Sequence, residues 1–206
     1  MTKPRHFSML RSFAAADFLT LANAACGMVA IFFCLKYAET GSAAYIWGAF
    51  GLFPLAFLFD MLDGWVARWR RKHSALGADL DSLADIVSFG VAPAVVGYTL
   101  GLDGVWDGVV LVFFVVCGIA RLARFNVTAA EVAARGEKVP YYEGTPIPTS
   151  VFVILILAIA YGTGNVHGEI WGGTLQLGPW RFHPLVLLYG LSGSLMVSAT
   201  LRIPRP

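Results

Sequence analysis

What most constrains this chain is a succession of long apolar runs separated by short polar breaks. A helix needs ~20 mainly apolar residues to cross a bilayer. Six runs approach that length: about Phe18–Leu35, Ala43–Phe59, Asp81–Leu100, Val105–Asn126, Pro148–Gly164 and Pro184–Leu201. The fourth is the most strained of these, because it must carry Arg121 and Arg124 near one end. The runs are continuous rather than alternating. That favours a helical bundle over a barrel, whose strands need only ~9–11 residues with a two-residue period. Hydrophobic residues make up 57% of the chain and charged residues 14%, against ~45–50% and ~25% in soluble domains. A globule of 206 residues has no means of hiding that much apolar surface from water. The expectation is an all-α integral membrane protein: one domain over 1–206, built as a bundle of six transmembrane helices.

The first sixteen residues carry Lys3, Arg5 and Arg11 but no apolar core before Asp17. This segment, 1–16, reads as a retained amphipathic helix on the membrane surface, not as a cleaved signal. Basic residues gather on the cytoplasmic side of membrane proteins. If both termini are cytoplasmic, that side holds Arg68, Arg70, Arg71, Lys72, Arg121, Arg124, Arg135, Lys138, Arg202 and Arg205 together with the N-terminal three. Of the fifteen Lys and Arg, only Lys36 and Arg181 then face outward. The split supports an even number of spans. The longest expected loop, about Val127–Ile147, is too short for a soluble domain, so any chemistry belongs to the bundle. A net charge of +2 is too small and too segregated to suggest a nucleic-acid partner, and none is expected. Cys26, Cys34 and Cys117 lie in apolar runs without ligand spacing and read as packed thiols; the scattered histidines give no zinc site.

Acids are the exception to this apolar pattern. Asp60 and Asp63 stand i, i+3, and Asp81 and Asp85 stand i, i+4, so each pair projects from one helix face. A short basic connection lets the two helices run antiparallel and bring all four carboxylates to the cytoplasmic edge. Neutralisation by Arg68, Arg70 and Arg71 would account for one such pair. Two pairs at this spacing point instead to bound divalent cations, which remove the mutual repulsion of intramembrane acids. Hard oxygen donors select Mg²⁺, Mn²⁺ or Ca²⁺, and two ions ~3.5–4 Å apart suit phosphoryl chemistry. Asp79 falls outside both pairs and reads as a solvated or capping residue. Gly64, Ala67 and Gly77 leave the helix backbone open to a flat polar ligand such as a nucleotide, and Arg68 offers a charge to phosphate. A cation transporter is the competing class. It would need a pathway across the bilayer, but the far side has no matching acid cluster apart from Asp103 and Asp107 in a loop.

The residues Asp60, Asp63, Gly64, Ala67, Arg68, Gly77, Asp81 and Asp85 reproduce D-x2-D-G-x2-A-R-x8-G-x3-D-x3-D over 60–85 without a gap. In this the chain resembles the CDP-alcohol phosphotransferases, integral-membrane phospholipid synthases. The resemblance implies six membrane helices, usually in a homodimer, and two divalent cations, Mg²⁺ or Mn²⁺, in a cytosol-facing cavity. It implies Asp60, Asp63, Asp81 and Asp85 as metal ligands, with Asp85 also the general base. Asp60, Gly64, Ala67, Arg68, Gly77 and Asp81 become the CDP-binding set. Four further segments, FLTLANAACGMVAIF, IVSFGVAPA, GIARLARFNV and YYEGTPIPTS, resemble the phosphatidylserine synthase branch. That branch uses CDP-diacylglycerol and L-serine and releases CMP. It implies an enzyme among membrane lipids, here expected in a bacterial inner membrane with termini and active site cytoplasmic.

Arg121 and Arg124, i, i+3 on the fourth helix, are candidates for the serine carboxylate or the lipid phosphate. Pairing with acids such as Asp85, or snorkelling to headgroups, would explain them equally. Asn126 stands between substrate contact and helix cap. Tyr141, Tyr142 and Thr145 stand between site closure and an interfacial belt. Pro54 and Pro93 lie inside spans and are expected to kink them. Glycerol phosphate, inositol phosphate and choline remain alternative acceptors.

Overall fold

Residue 17 opens a run in which every backbone group must be satisfied internally, because lipid supplies no hydrogen-bond partner. In the computed structural model, which describes residues 15–70, 75–134, 141–166, 170–198, 200 and 202–204, that run is helix α1, Ala15–Thr40. At ~1.5 Å per residue it is ~39 Å long, enough to cross a ~30 Å hydrocarbon core. Gly41, at φ +66°, ends it in the left-handed region while its N–H reaches the Tyr37 carbonyl at 2.8 Å. A side chain there would be strained, and the turn sends α2, Ala43–Arg70, back antiparallel along α1. Small residues bring the two helices close, Cys26, Ala30 and Cys34 on α1 and Ala49 and Ala56 on α2, with the larger Ile46 and Phe53 buried beside them.

Helix α3, Ala75–Asp85, runs without a break through a π-helical turn, Ile86–Val91, into α4, Ala92–Thr99. Pro93 supplies the reason. It has no N–H to give, and its ring would clash with the carbonyl four residues back in a regular α-helix. Widening to i→i+5 bonding, with the Ala92 N–H on the Val87 carbonyl, relieves the conflict. The expected kink at Pro93 is thus a π turn immediately after Asp85. Helix α5, Val105–Ala134, packs on α4 and on α7, Leu187–Val197, while α6, Ser150–Gly162, lies against α2. Phe114 of α5 meets Tyr189 of α7 edge-on with centroids 5.2 Å apart, and the Tyr189 hydroxyl donates to the Pro93 carbonyl at 2.6 Å. Outward positions such as Phe32, Val112 and Phe152 stay exposed and apolar, as a lipid-facing surface requires.

Among the described residues, four helical stretches are long and apolar enough to cross a membrane: Ala16–Thr40, Ala43–Val66, Gly77–Thr99 and Val105–Ala129. The chain is an integral membrane protein. The fifth and sixth expected spans are shorter helices, Ile147–Gly162 and Pro184–Val197, each opened by a 3-10 turn. The sixth was expected to reach Leu201, but Ser198 turns extended at φ −66°, ψ 121°. Other boundaries move outward. Helix α1 runs on past Leu35 to Thr40, and α3 begins before Asp81 at Ala75. Helix α2 continues past Phe59, because no proline interrupts 60–70 and the single Gly64 is tolerated, and α5 continues past Asn126 to Ala134. Two short antiparallel ribbons were not anticipated: β1, Tyr141–Glu143, pairs with β4, Arg202–Pro204, and β2, Leu175–Leu177, pairs with β3, Trp180–Phe182. The amphipathic lead-in expected at 1–16 lies almost wholly outside the described residues.

At one end of α5 sits a buried polar knot. The Asp107 carboxylate accepts from the Gly104 N–H at 3.0 Å and the His183 N–H at 2.9 Å, and pairs with His183 Nδ1 at 2.5 Å. Both side chains are buried. The knot ties the β2–β3 hairpin to the first turn of α5, where Trp106 and Trp180 also meet edge-on.

Candidate active site

The acids sit where the long helices face one another. Asp60 and Asp63 lie in the continuous part of α2, and Asp81 and Asp85 in the last two turns of α3. One carboxylate oxygen from each of Asp60, Asp63 and Asp81 falls within 4.8 Å of the others. Asp85 is not part of this triad but lies close enough to interact electrostatically with all three members. The α3 pair therefore meets the α2 pair as the helical spacing requires. Asp79, also on α3, is exposed and stands apart, the solvated alternative of its two readings.

Arg121 projects from α5 toward the same cluster. It is 9% exposed, acts as the positive charge on Asp60 and Asp81, and lies over the Phe125 ring at 5.7 Å. Arg124, one turn on, is exposed and reaches the Val197 carbonyl at the end of α7 at 3.4 Å. The two arginines, paired by sequence spacing, thus serve different neighbours. Asn126 is no cap, since α5 runs on beyond it. Its Nδ2 donates to Ser82 Oγ at 3.0 Å, while the Ser82 hydroxyl proton has the nearer Ala78 carbonyl at 3.1 Å as acceptor; the bond ties α5 to α3 between Asp81 and Asp85. Gly64 and Gly77 lie half-buried on α2 and α3. The side chains of Ala67, Arg68, Tyr141 and Tyr142 lie outside the described residues. Thr145 follows Gly144, whose φ of +73° lets the chain pass against the Met196 carbonyl.

Helix α1 contributes residues that the acid pattern did not point to. The Thr20 hydroxyl donates to Asp63 Oδ2 at 2.7 Å, and Asn23 Nδ2 donates to Asp85 Oδ1 at 3.1 Å. Asp17 is also buried, within electrostatic reach of Asp63. The signal was in the sequence: Asp17, Thr20 and Asn23 recur every third residue inside an apolar run, a polar stripe on one helix face.

The donor set fits a divalent cation. All the gathered atoms are hard carboxylate oxygens, and Asp81 Oδ1 is buried with no hydrogen-bond partner. A buried carboxylate oxygen left without a donor is costly unless a cation completes it.

A family model described as CDP-alcohol phosphatidyltransferase matches residues 13–184, which takes in both acid pairs, Thr20, Asn23 and Arg121. The chain belongs to the CDP-alcohol phosphatidyltransferase family. Among its relatives is a CDP-diacylglycerol–serine O-phosphatidyltransferase of Saccharomyces cerevisiae, 41% identical over 98% of this chain and 74% of that protein. The Bacillus subtilis protein of the same description is 32% identical over 69% of the chain and 74% of its own length. An archaetidylserine synthase of Methanothermobacter thermautotrophicus is 38% identical over 68% of the chain, which covers 56% of that relative. Membership of this family makes the chain a transferase, and divalent-cation dependence is general in the family.

Proposed function

We propose that this protein transfers a phosphatidyl group from CDP-diacylglycerol to the hydroxyl of L-serine, giving phosphatidylserine and CMP. The observation that carries the reading is the convergence of Asp60, Asp63, Asp81 and Asp85 beside Arg121. Its support is the 41% identity to a serine O-phosphatidyltransferase across nearly the whole chain.

The roles follow from position. Asp60, Asp63 and Asp81, with Asp85 beside them, would hold two cations, Mg²⁺ or Mn²⁺, which would supply positive charge against the diphosphate and the departing CMP. Asp85, held outside the triad by Asn23, takes the proton from the serine hydroxyl as its oxygen attacks phosphorus. The new phosphorus–oxygen bond forms as the phosphoanhydride bond breaks, and CMP leaves with the electron pair. Gly64, Ala67 and Gly77 form the side-chain-free floor for the cytidine, and Arg68 the phosphate contact. Arg121, planar and lying over the Phe125 ring, takes the serine carboxylate or the lipid phosphate. For Arg124 and Asn126 the observed bonds to Val197 and Ser82 favour a structural role.

The short helices Ile147–Gly162 and Pro184–Val197 complete a six-helix bundle in this reading, as an extension of the four longer ones. The basic split of the sequence supports cytoplasmic termini and a cytoplasmic site, with residues 1–16 as a surface helix. The whole chain acts as one domain and, by its resemblance to the family, as a homodimer in an inner membrane. CMP release by the purified protein, supplied with CDP-diacylglycerol and a panel of alcohols, tests the acceptor. Release that depends on L-serine supports the reading; release only with glycerol phosphate, inositol phosphate or choline overturns it.

A further inference from the structure

Thr20 and Asn23 lie in about the first third of the apolar helix α1 and are 4% and 0% exposed. Buried polar groups are costly unless hydrogen-bonded, and each of these spends its donor on a carboxylate of the site. Thr20 has one hydroxyl proton and two acceptors in reach, Asp63 Oδ2 at 2.7 Å and the Ala16 carbonyl at 3.1 Å. The charged oxygen is the nearer and the stronger partner. A carboxylate only accepts, so the Asn23 amide must turn its NH₂ toward Asp85, which leaves Asn23 Oδ1 buried with no partner. The Asn23 backbone is fixed as well. Its carbonyl accepts from Ser88 Oγ at 2.7 Å, and Gly27, one turn on, lets α1 touch the Ser88 backbone.

We infer that Thr20 and Asn23 are positioning residues, one for each end of the carboxylate cluster: Thr20 aims Asp63 at the cation, and Asn23 aims Asp85 at the acceptor hydroxyl. The inference rests on the metal and base roles proposed above. It adds that α1 governs the two functions separately. A hydrogen bond to one oxygen of a carboxylate fixes the direction of the other, and such outer partners are worth ~10–100-fold in affinity or activity. Helix glue alone would predict something else, because both bonds join α1 to its neighbours and their loss would weaken both functions alike.

The test measures two quantities on the same purified full-length variants. Mn²⁺ binding is read from the free-ion electron paramagnetic resonance signal without lipid or alcohol, and turnover is read as CMP release. Thr20→Val is expected to weaken Mn²⁺ binding ~10-fold or more, with turnover that returns as Mn²⁺ is raised, and Thr20→Ser to restore binding. Asn23→Ala is expected to keep Mn²⁺ affinity within ~2-fold while kcat falls ~10–100-fold and the KM for CDP-lipid holds. Equal changes of both quantities in Thr20→Val and Asn23→Ala, or wild-type values in both, overturn the inference. So does failure of Thr20→Ser to recover binding at an unchanged unfolding midpoint. Should L-serine fail as acceptor, turnover is measured with the alcohol that succeeds, and the Mn²⁺ arm stands regardless.

Discussion

Gly27→Ala adds one methyl group to α1 and is the smallest change that should disturb the site from outside it. A Cβ built there lies 2.7 Å from Ser88 Cα and 2.7 Å from Ser88 Oγ. Carbon atoms in contact prefer ~3.5–4.0 Å, so α1 and the π turn must part by ~1 Å at this level. Ser88 Cα is backbone in a buried turn and has no rotamer through which to yield. Overpacking of this kind costs ~1–3 kcal/mol. The larger effect is on function, because Asn23 sits one turn away and its bond to Asp85 is already 3.1 Å long. A shift of ~1 Å breaks that bond, and misplacement on this scale costs ~10²-fold in rate. Gly118→Ala is the comparison: its Cβ would meet only side-chain tips, the terminal methyls of Ile147 at 2.9 Å and Ile86 at 3.3 Å, and no backbone atom. CMP release and thermal unfolding on both purified variants check the argument. Turnover in Gly27→Ala equal to that in Gly118→Ala would refute it.

Asp107→Ala strands two backbone N–H groups and a histidine ring in a buried site. A buried polar group left without its partner costs ~1–3 kcal/mol, and three are stranded here, so the unfolding midpoint should drop steeply. Turnover per folded molecule should hold, which active-site titration with CDP-lipid checks. Arg121→Lys should impair turnover, because the planar fork beside Asp60 and Asp81 is lost. Arg124→Lys should be nearly silent, since an ammonium also serves an exposed helix-end carbonyl; steady-state kinetics on the two variants separate them. Asp60→Asn and Asp81→Asn should each lose Mn²⁺ binding and activity together, as members of one triad. Wild-type Mn²⁺ affinity in both, by calorimetry, would remove them from the ligand set.

The acid pairs were legible because helical periodicity converts spacing into a shared face: Asp60 with Asp63 and Asp81 with Asp85 need no tertiary knowledge. Their convergence followed from a short basic connection between antiparallel helices. Thr20 and Asn23 stood in plain view as a polar stripe, yet their partners lie 43 and 62 residues away. Which helix face α1 turns toward α2 and α3 is decided by packing, through Gly27 and the small residues of its seam. Helix ends were the weakest point. Asn126 reads as an end because polarity rises there, but polarity without Gly or Pro does not stop a helix, and α5 goes on. The last helix shows the converse. Its apolar composition suggests a span to Leu201, while the extended turn at Ser198 ends it early. The π turn was hidden in the same way, since Pro93 announces a conflict in the backbone without saying how it is resolved.

The central claim is that the gathered carboxylates divide their work, with three gripping cations and Asp85 moving the proton. The most direct measurement is Asp85→Asn, assayed on one purified sample for Mn²⁺ binding, CDP-diacylglycerol binding and serine-dependent CMP release. The amide keeps the shape and an oxygen beside Asn23 but cannot accept the proton. The account predicts that both ligands still bind, more weakly, while turnover falls by ~10²–10⁴-fold, the usual contribution of a general base. Near-normal turnover would contradict it.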